Sequence, residues 1–323
     1  MSRIQPRSNS LLRLILLLLA CFLPNCGHPP EPTLRIGSNT WPGYEPLYLA
    51  RELGYYDAST IRLVEMTSAS DVLNAMQNGS LEGACLTLDE CLVLLQDKAD
   101  LKVVAVMDFS EGGDVVMAKP HIKELSDLAG KKIAVEYTAV GAIMLDSVLQ
   151  AAGLTVDQIE MVNAPVNRHV EIYESVDAVV TFEPIRTKLL NAGAIQLFDS
   201  SQIPGRIVDV LVVNASTLAT HPDSVRALLA GYFKATERIE SNPDDSYSRI
   251  APRLGINAKE VAESYLGIRI PDLEENRTLL SGSPSKLNEI ANDLSTFMTD
   301  RKLLKTKVAL SELTAPDFLP PQK

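Results

Sequence analysis

The sequence predicts an α/β protein built from two doubly wound lobes, because strand and helix patterns alternate in two series. The first series starts at Leu34 and closes with the nearly continuous apolar run of residues 101–107, which is typical of a buried strand. The second starts after Gly112 and Gly113 and reaches another apolar run at 207–213. After a short leader about 300 residues remain, which is enough for two packed lobes.

The individual elements follow from apolar spacing and from turn residues. In the first series, strands are predicted at 34–36, 61–64, 84–88 and 101–107, with helices after the first three. In the second, strands are predicted at 115–118, 133–135, 159–162, 178–181, 195–198 and 207–213, with helices at 142–152 and 185–190. From residue 222 the pattern is mostly helical, at 225–239, 247–254, 261–266 and 287–298.

The only Trp of the chain lies on the predicted loop between the first strand and the first helix. In open α/β sheets, ligands bind outside the carboxyl ends of the strands, where such loops lie. Trp41 is therefore a candidate ligand contact. The alternative is that its ring only fills a gap between strand and helix.

The leader predicts export. Arg3, Arg7 and Arg13 precede or flank a short apolar run at 14–19, which is the pattern of a signal peptide and is far too short to span a membrane. Residues 18–21, Leu-Leu-Ala-Cys, resemble a bacterial lipobox. We therefore predict a signal peptide at 1–20, lipidation of Cys21, and a Pro-rich tether at 21–33, placing the protein in the periplasm or at the cell surface. A plain secretory signal is the alternative.

Composition excludes several classes. Residues 1–20 carry three Arg and no acid, so the rest of the chain has 27 basic against 41 acidic residues, which disfavours nucleic acid as a partner. We see no zinc-like Cys or His spacing, no catalytic triad and no phosphate-binding Gly loop, and we predict no metal, no cofactor and no enzyme activity. Cys85 and Cys91 could form a disulfide or remain buried thiols.

Four segments resemble one known family. They are PLYLARELGYY at 46–56, VAVMDFSEGGDVVMA at 104–118, SDLAGKKIAVE at 126–136 and DAVVTFEP at 177–184. In this order, behind a lipobox, they resemble the type II periplasmic substrate-binding proteins of ABC importers. The most similar branch contains binders of nitrate, taurine, alkanesulfonates and thiamine precursors (NMT1-like).

The resemblance implies two lobes joined by two crossings, with a ligand between them and an ABC permease in the inner membrane as partner. Carried onto this chain, lobe one would be 34–110 plus 208–323, and lobe two would be 111–207. We expect a monomer that closes by a hinge motion.

Residues at predicted strand ends are the candidate ligand contacts. The set is Asn39, Thr40, Trp41, Tyr44, Ser68, Thr87 and Asp89 in lobe one, and Glu136, Thr138, Asn163, Thr181 and Glu183 in lobe two. Ser68 and Thr138 precede helix starts, which favour anions, although plain helix capping is the alternative for each Ser or Thr.

The charge at these positions indicates the ligand. Six acids fall at strand ends or crossings, and no Arg or Lys lies at a comparable position; the acids are Asp89, Asp108, Asp114, Glu136, Glu183 and Asp209. Such a cleft suits an amine or a nitrogen heterocycle, held between Trp41 and Tyr44 on one side and Glu136 and Glu183 on the other. Three alternatives remain: a sulfonate or nitrate binder, a ligand-sensing receptor module, and an enzyme like the thiamine-pyrimidine synthases, whose Cys-rich motif is missing here.

Overall fold

The computed structural model describes residues 31–97 and 99–322, apart from the side chain of Ala139. The predicted signal peptide and Cys21 lie outside these residues. The strands of the described chain are β1 Leu34–Ser38, β2 Ile61–Glu65, β3 Gly83–Thr87, β4 Leu101–Ser110, β5 Asp114–Ala118, β6 Lys132–Val135, β7 Glu160–Asn163, β8 Ala178–Phe182, β9 Ile195–Asp199, β10 Val208–Asn214 and β11 Ile268–Arg269.

The strands form two sheets, and each sheet is the centre of one α/β lobe. The sheet of lobe one has the order β11-β4-β10-β3-β1-β2, and the sheet of lobe two has the order β7-β6-β8-β5-β9. In lobe one β1 pairs in parallel with β2 and β3, and in lobe two β6 pairs in parallel with β7 and β8. The fold class predicted from the sequence is therefore confirmed.

Both sheets contain one inserted antiparallel strand. β10 lies between β3 and β4, and β5 lies between β8 and β9, each antiparallel to both neighbours. In each case the inserted strand is the first one after the chain has crossed from the other sheet. Each crossing therefore leads directly into a strand inside a sheet. This connection fixes the position of each lobe's strand ends relative to the crossings.

Helices cover the sheets. They are α1 Glu45–Glu52, α2 Ala69–Gln77, α3 Leu88–Gln96, α4 Ala139–Ala152, α5 His169–Ile172, α6 Ile185–Asn191, α7 Thr217–Thr220, α8 Pro222–Ser241, α9 Pro243–Leu254, α10 Ala258–Tyr265, α11 Leu273–Leu280 and α12 Lys286–Asp300. Short 3-10 turns lie at Pro42–Tyr44, Leu125–Leu128, Val156–Gln158, Val166–Arg168, Tyr173–Ser175, Ser200–Gln202 and Pro316–Phe318. Within the described part of the chain, none of the helices is both long and apolar enough to cross a membrane.

Alternation along β5 shows why the sheet of lobe two needs helices on both faces. Val116 belongs to the apolar cluster that contains Met144 of α4, whereas Val115 and Met117 belong to a separate cluster with Leu189 of α6. Successive strand residues point to opposite faces, so a strand that is apolar throughout must be covered twice. Lobe one has a single larger core that also takes in the C-terminal helices.

Hydrogen bonds of Ser200 and of neighbouring residues connect the two crossings. Its hydroxyl is paired with the Ser110 hydroxyl at 2.8 Å and accepts from the backbone N–H of Gly112 at 2.7 Å. The Ser110 N–H donates to the carbonyl of Ile207 at 3.1 Å, and the Gly267 carbonyl accepts from Glu111 and Gly113. The two segments that connect the lobes are thus hydrogen-bonded to each other between Ser110 and Ile207, and the first segment is also bonded to Ser200 and Gly267.

The structure adds elements that the apolar pattern did not predict. Five of the eight residues of α11, LEENRTLL, are polar, and its start depends on Asp272, whose side chain accepts from the Glu275 N–H. β11 has only two residues and pairs with the end of β4. Cys85 and Cys91 are both free and buried, so of the two alternatives left open for them the structure has the thiols.

Candidate functional site

The space between the sheets contains two adjoining small hollows, which share Ala69, Asp114, Val140 and Phe182. The first is also lined by Asn39, Trp41, Tyr44, Thr87, Glu90 and Asp209. The second is also lined by Glu136, Thr138, Gly141, Met144, His169, Val180 and Thr181. We call the two together the interlobe cavity. None of its described lining residues is Lys or Arg.

Trp41 forms the aromatic wall of the cavity and is only 4% exposed. Its indole N–H donates to Asp108 Oδ2 at 3.0 Å, and its ring meets Phe182 of lobe two edge to face at 5.7 Å between centroids. A Cβ at Gly43 would lie 1.8 Å from Asp108 Oδ2, and one at Gly113 would lie 2.6 Å from Trp41 Cη2. These two glycines therefore make room for the indole, and Trp41 both packs in the core and lines the cavity.

Two carboxyl groups, those of Asp108 and Asp209, face each other next to Trp41 and Tyr44. Asp108 and Asp209 are partners in the β4–β10 register, and the Tyr44 hydroxyl donates to Asp209 Oδ1. Burial raises the pKa of Asp108 to about 7. Burial, together with the charge of Asp108, raises the pKa of Asp209 well above its usual range. Two carboxylates this close cannot both ionise cheaply without a counter-charge.

Glu90 and Asp89, in the first turn of α3, are a second pair of buried carboxyl groups. Glu90 Oε2 accepts from the Thr87 N–H at 3.1 Å, whereas Glu90 Oε1 and both oxygens of Asp89 have no hydrogen-bond partner of ordinary geometry among the described residues. Burial raises the pKa of Asp89 to about 7, and burial with the nearby charge of Asp89 raises that of Glu90 to about 8. Only Glu90 of the two lines the cavity.

Asp114 lies where the first crossing enters β5, opposite Phe182 in the β5–β8 register. It lines both hollows and is 4% exposed. Burial raises the pKa of its carboxyl group to about 7, opposed by a hydrogen bond with Ser110. Asp114 is thus the carboxyl group most directly placed to meet anything held between the lobes.

The lobe-two wall is mostly neutral. His169 Nε2 lies 3.0 Å from the carbonyl oxygen of Ala164, and Nδ1 lies 3.0 Å from the Thr181 hydroxyl. A carbonyl can only accept, so Nε2 carries the proton and Nδ1 accepts from Thr181. Burial lowers the pKa of His169, which fits a neutral ring. Thr138 precedes α4 and lines the cavity beside Gly141.

The two acids predicted for lobe two are both fully engaged. Glu136 Oε1 accepts from Ser70 N at 2.9 Å and Ser70 Oγ at 2.6 Å, and Oε2 accepts from Val166 N at 2.9 Å. Glu183 accepts from Arg186 Nη1 at 2.8 Å, from Thr187 N at 3.2 Å and from Thr187 Oγ1 at 3.1 Å. Glu136 lines the cavity and links the lobes, whereas Glu183 does not line it.

The structure thus brings together seven of the twelve predicted contacts: Asn39, Trp41, Tyr44, Thr87, Glu136, Thr138 and Thr181. The others lie outside the lining. Thr40 donates to Glu65 at 3.2 Å, Ser68 accepts from the Asp71 N–H as the α2 cap, and Asn163 accepts from the Tyr137 N–H. Asp89 is fully buried and does not line the cavity, and Glu183 accepts from the Thr187 N–H in the first turn of α6. Their role toward a ligand stays a prediction.

Asp114 and Asp209 were predicted at strand ends or crossings, among the acids of the cleft, but they were not among the twelve predicted contacts. Their position next to both lobes was the available signal. For Met144, Val140 and His169 the sequence offered no comparable signal, because these residues line the cavity from helices α4 and α5 and not from strand-end loops.

Comparison with known proteins identifies the family. Residues 41–246, well over half of the chain, match the profile of the family described as NMT1/THI5 like. The chain belongs to this family. Among characterised relatives in sequence, the taurine-binding periplasmic protein of Escherichia coli K12 is 21% identical over 268 residues, covering 75% of this chain and 83% of that protein.

Solved structures share the fold. The alkanesulfonate-binding protein SsuA of Xanthomonas axonopodis pv. citri, bound to MOPS, superposes with a TM-score of 0.75 at 18% identity, covering 89% of this chain and 99% of that one. The desulfurization enzyme DszB superposes with a TM-score of 0.65 at 19% identity, covering 89% and 97%. The type II periplasmic binding-protein fold of this family member therefore occurs in binders and in at least one enzyme.

Proposed function

We propose that this protein is an extracytoplasmic solute-binding lipoprotein. In this proposal it captures a small amine or nitrogen heterocycle in the interlobe cavity and delivers it to an ABC importer. The observation that carries the ligand class is the lining of the cavity. Carboxyl groups of Glu90, Asp114 and Asp209 and rings of Trp41 and Phe182 line it, and no described lining residue is a cation.

A cationic ligand would offset the cost of ionising the carboxyl groups of this lining. Buried carboxyl groups are costly to ionise unless a positive charge lies near them. An ammonium or protonated ring nitrogen would supply that charge and donate hydrogen bonds to Asp114 or Asp209. The indole of Trp41 would at the same time offer an aromatic face or edge to the ligand's carbon atoms or cation.

The free space left in the two hollows is only about 20 and 10 Å³, which is room for roughly one water molecule each. The lobes must therefore move apart before a ligand can enter. We propose that the lobes, 34–110 plus 208–323 and 111–207, close around it by a hinge at the crossings, and that the protein acts as a monomer.

An anion binder is the second candidate, because the two related binding proteins carry taurine and sulfonate in their names. Taurine itself has an ammonium group as well as a sulfonate, so an acidic wall is compatible with part of such a ligand. A receptor role would need the same cavity, and an adjacent permease gene would separate it from import. For the enzyme alternative, His169 has both ring nitrogens engaged, and no Cys lines the cavity among the described residues. Absence of catalysis stays a prediction.

Trp41 provides a direct test, because it is the only Trp in the chain and lines the cavity. Its fluorescence should change saturably when an amine or heterocycle from a small panel is added, with calorimetry confirming the affinity. Each ligand is paired with a neutral analogue of the same shape, which should bind at least about 30-fold more weakly. Equal binding of the neutral partner, or tight binding of nitrate or a simple sulfonate alone, would contradict the cationic ligand class.

The anchor is tested separately. Cys21→Ser should move the protein from the membrane to the soluble fraction of fractionated cells, whereas the matched variant Cys26→Ser should stay with the membrane. The opposite pattern would move the lipidation site to Cys26. Release of neither variant would contradict lipid anchoring through these residues.

A further inference from the structure

Glu136 joins the two lobes at the edge of the cavity. It follows β6 in lobe two, yet its Oε1 accepts from both the N–H and the hydroxyl of Ser70, which is the second residue of α2 in lobe one. Its Oε2 accepts from the Val166 N–H of its own lobe at 2.9 Å. Glu136 is 6% exposed, and its buried carboxyl group accepts from three donors that come from both lobes.

The start of α2 is a helix end that favours negative charge. The nine residues of α2 leave free N–H groups at the first turn. The Ser68 side chain already accepts from the Asp71 N–H, and Glu136 takes the Ser70 N–H. The chain's own carboxylate therefore holds the donors that a sulfonate, sulfate or nitrate would use there.

We propose that Glu136 is a specificity-determining residue that acts as a built-in anion. Its carboxylate fills the α2 end of the cavity, excludes ligand oxyanions from it by occupation and by like charge, and latches the lobes together through Ser70. This inference deepens the proposed function and rests on it for the meaning of the specificity. It differs from that function in what it predicts, because it concerns anions and not the cationic ligand.

Glu136→Ala tests the proposal, with inorganic sulfate and methanesulfonate as probes. Wild-type protein should show no saturable binding by calorimetry up to millimolar anion. The variant should bind at least one of the two anions about tenfold or more tightly than wild type does, because the donors become free. Adding Ser70→Ala to the variant should remove much of the gain. A panel amine is measured in parallel, so loss of amine binding and absence of anion gain are separate results.

Control variants keep the test decisive. Glu136→Gln retains the size of the side chain and one oxygen for Ser70, so it should not gain anion binding. Glu136→Ser replaces Glu136→Ala if the latter does not fold, as judged by circular dichroism and thermal melting. A folded Ala or Ser variant with no anion gain would overturn the proposal. Saturable binding of sulfate or methanesulfonate to the wild type would overturn it without any variant.

Small-angle scattering reads the latch independently. Ser70→Ala removes the hydroxyl donor at 2.6 Å but leaves Glu136 in place. We expect its radius of gyration without ligand to be larger than that of wild type, because the closed arrangement loses a link between the lobes. An unchanged radius in both Ser70→Ala and Glu136→Ala would contradict the latch.

Discussion

The acids of the two lobes differ in how the fold supports them. On the lobe-one side, Glu90 and Asp209 face the cavity with oxygens that lack donors or that share the space with another carboxyl group, and burial raises the pKa of each. On the lobe-two side, Glu136 and Glu183 each accept three hydrogen bonds. Both pairs are buried to a similar degree.

The difference shows that burial of an acid does not by itself mark a ligand contact. A carboxylate whose oxygens already have donors has little to gain from a ligand, whereas one that lacks them gains a partner and keeps its charge. The unsatisfied acids therefore indicate where a cation belongs. Asp114, at the crossing between the lobes, resembles the lobe-one acids in that burial raises its pKa, to about 7.

Among the variants that test this comparison, Asp114→Asn should have the largest effect on ligand affinity. The amide keeps the shape but cannot supply a negative charge, so affinity for the best-binding amine of the panel should fall by about 30-fold or more, corresponding to ~2–5 kcal/mol. Stability of the ligand-free protein should not fall, since a neutral side chain replaces a buried acid. Calorimetry and urea denaturation measure the two quantities.

Glu171→Gln is the matched control for that variant. Glu171 is an acid of lobe two whose side chain is 72% exposed and paired with Arg168 on the surface. Its replacement changes the net charge by the same amount and should leave amine affinity within about twofold, since exposed pairs contribute little. If Asp114→Asn and Glu171→Gln behave alike, Asp114 does not meet the ligand.

The pH dependence should separate the ligand-free state from the bound state. The pKa of Asp89, Asp108 and Asp114 is raised to about 7 and that of Glu90 to about 8. At pH values between the ordinary and the raised pKa of each group, the native state holds its proton and the unfolded state does not. The contribution of these groups to stability is therefore greatest at low pH and falls as pH rises. One such group alone corresponds to a loss of about 2 kcal/mol between pH 5.5 and 8.

Ligand binding should show the opposite trend. A cation favours the ionised carboxylates, so binding releases protons and the affinity should increase from pH 5.5 to 8 while the ligand stays protonated. Thermal melts without ligand and calorimetry in two buffers of different ionisation enthalpy measure both trends. A melting temperature that rises with pH, or an affinity that falls with pH, would contradict the assignment of these acids.

Sequence patterns predicted the sheets most easily where a strand is a nearly continuous apolar run, as in β4 and β5. The run that became β4 needed no knowledge of its partners, since burial on both faces is visible in the letters. The antiparallel strands β5 and β10 were predicted as strands, but their insertion between neighbours depends on the crossings. The α11 helix escaped prediction because its apolar residues are few and its cap lies outside the periodic run.

For the site, the sequence predicted the region better than the individual roles. Trp41 and Tyr44 were found because strand-end loops lie at the edge where ligands bind. The pairing of Asp108 with Asp209 requires the β4–β10 register, which no local pattern contains. For Glu136, the decisive partner Ser70 is 66 residues away and belongs to the other lobe. Roles set by long-range contacts could not be predicted from local spacing.

Glu183→Gln tests the same comparison between satisfied and unsatisfied acids, and it has the smallest expected effect. Its carboxylate holds Arg186 and the first turn of α6, and it lies outside the cavity lining, so the change should act on stability and not on the ligand. Losing the charge while keeping the shape should lower the free energy of unfolding by about 1–2 kcal/mol, with amine affinity changed by less than about threefold. Urea denaturation and calorimetry measure these. Retained stability with a loss of affinity of about 30-fold or more would instead return Glu183 to the ligand, as its position after a strand first predicted, and the rule that satisfied acids are not ligand contacts would fail in this fold.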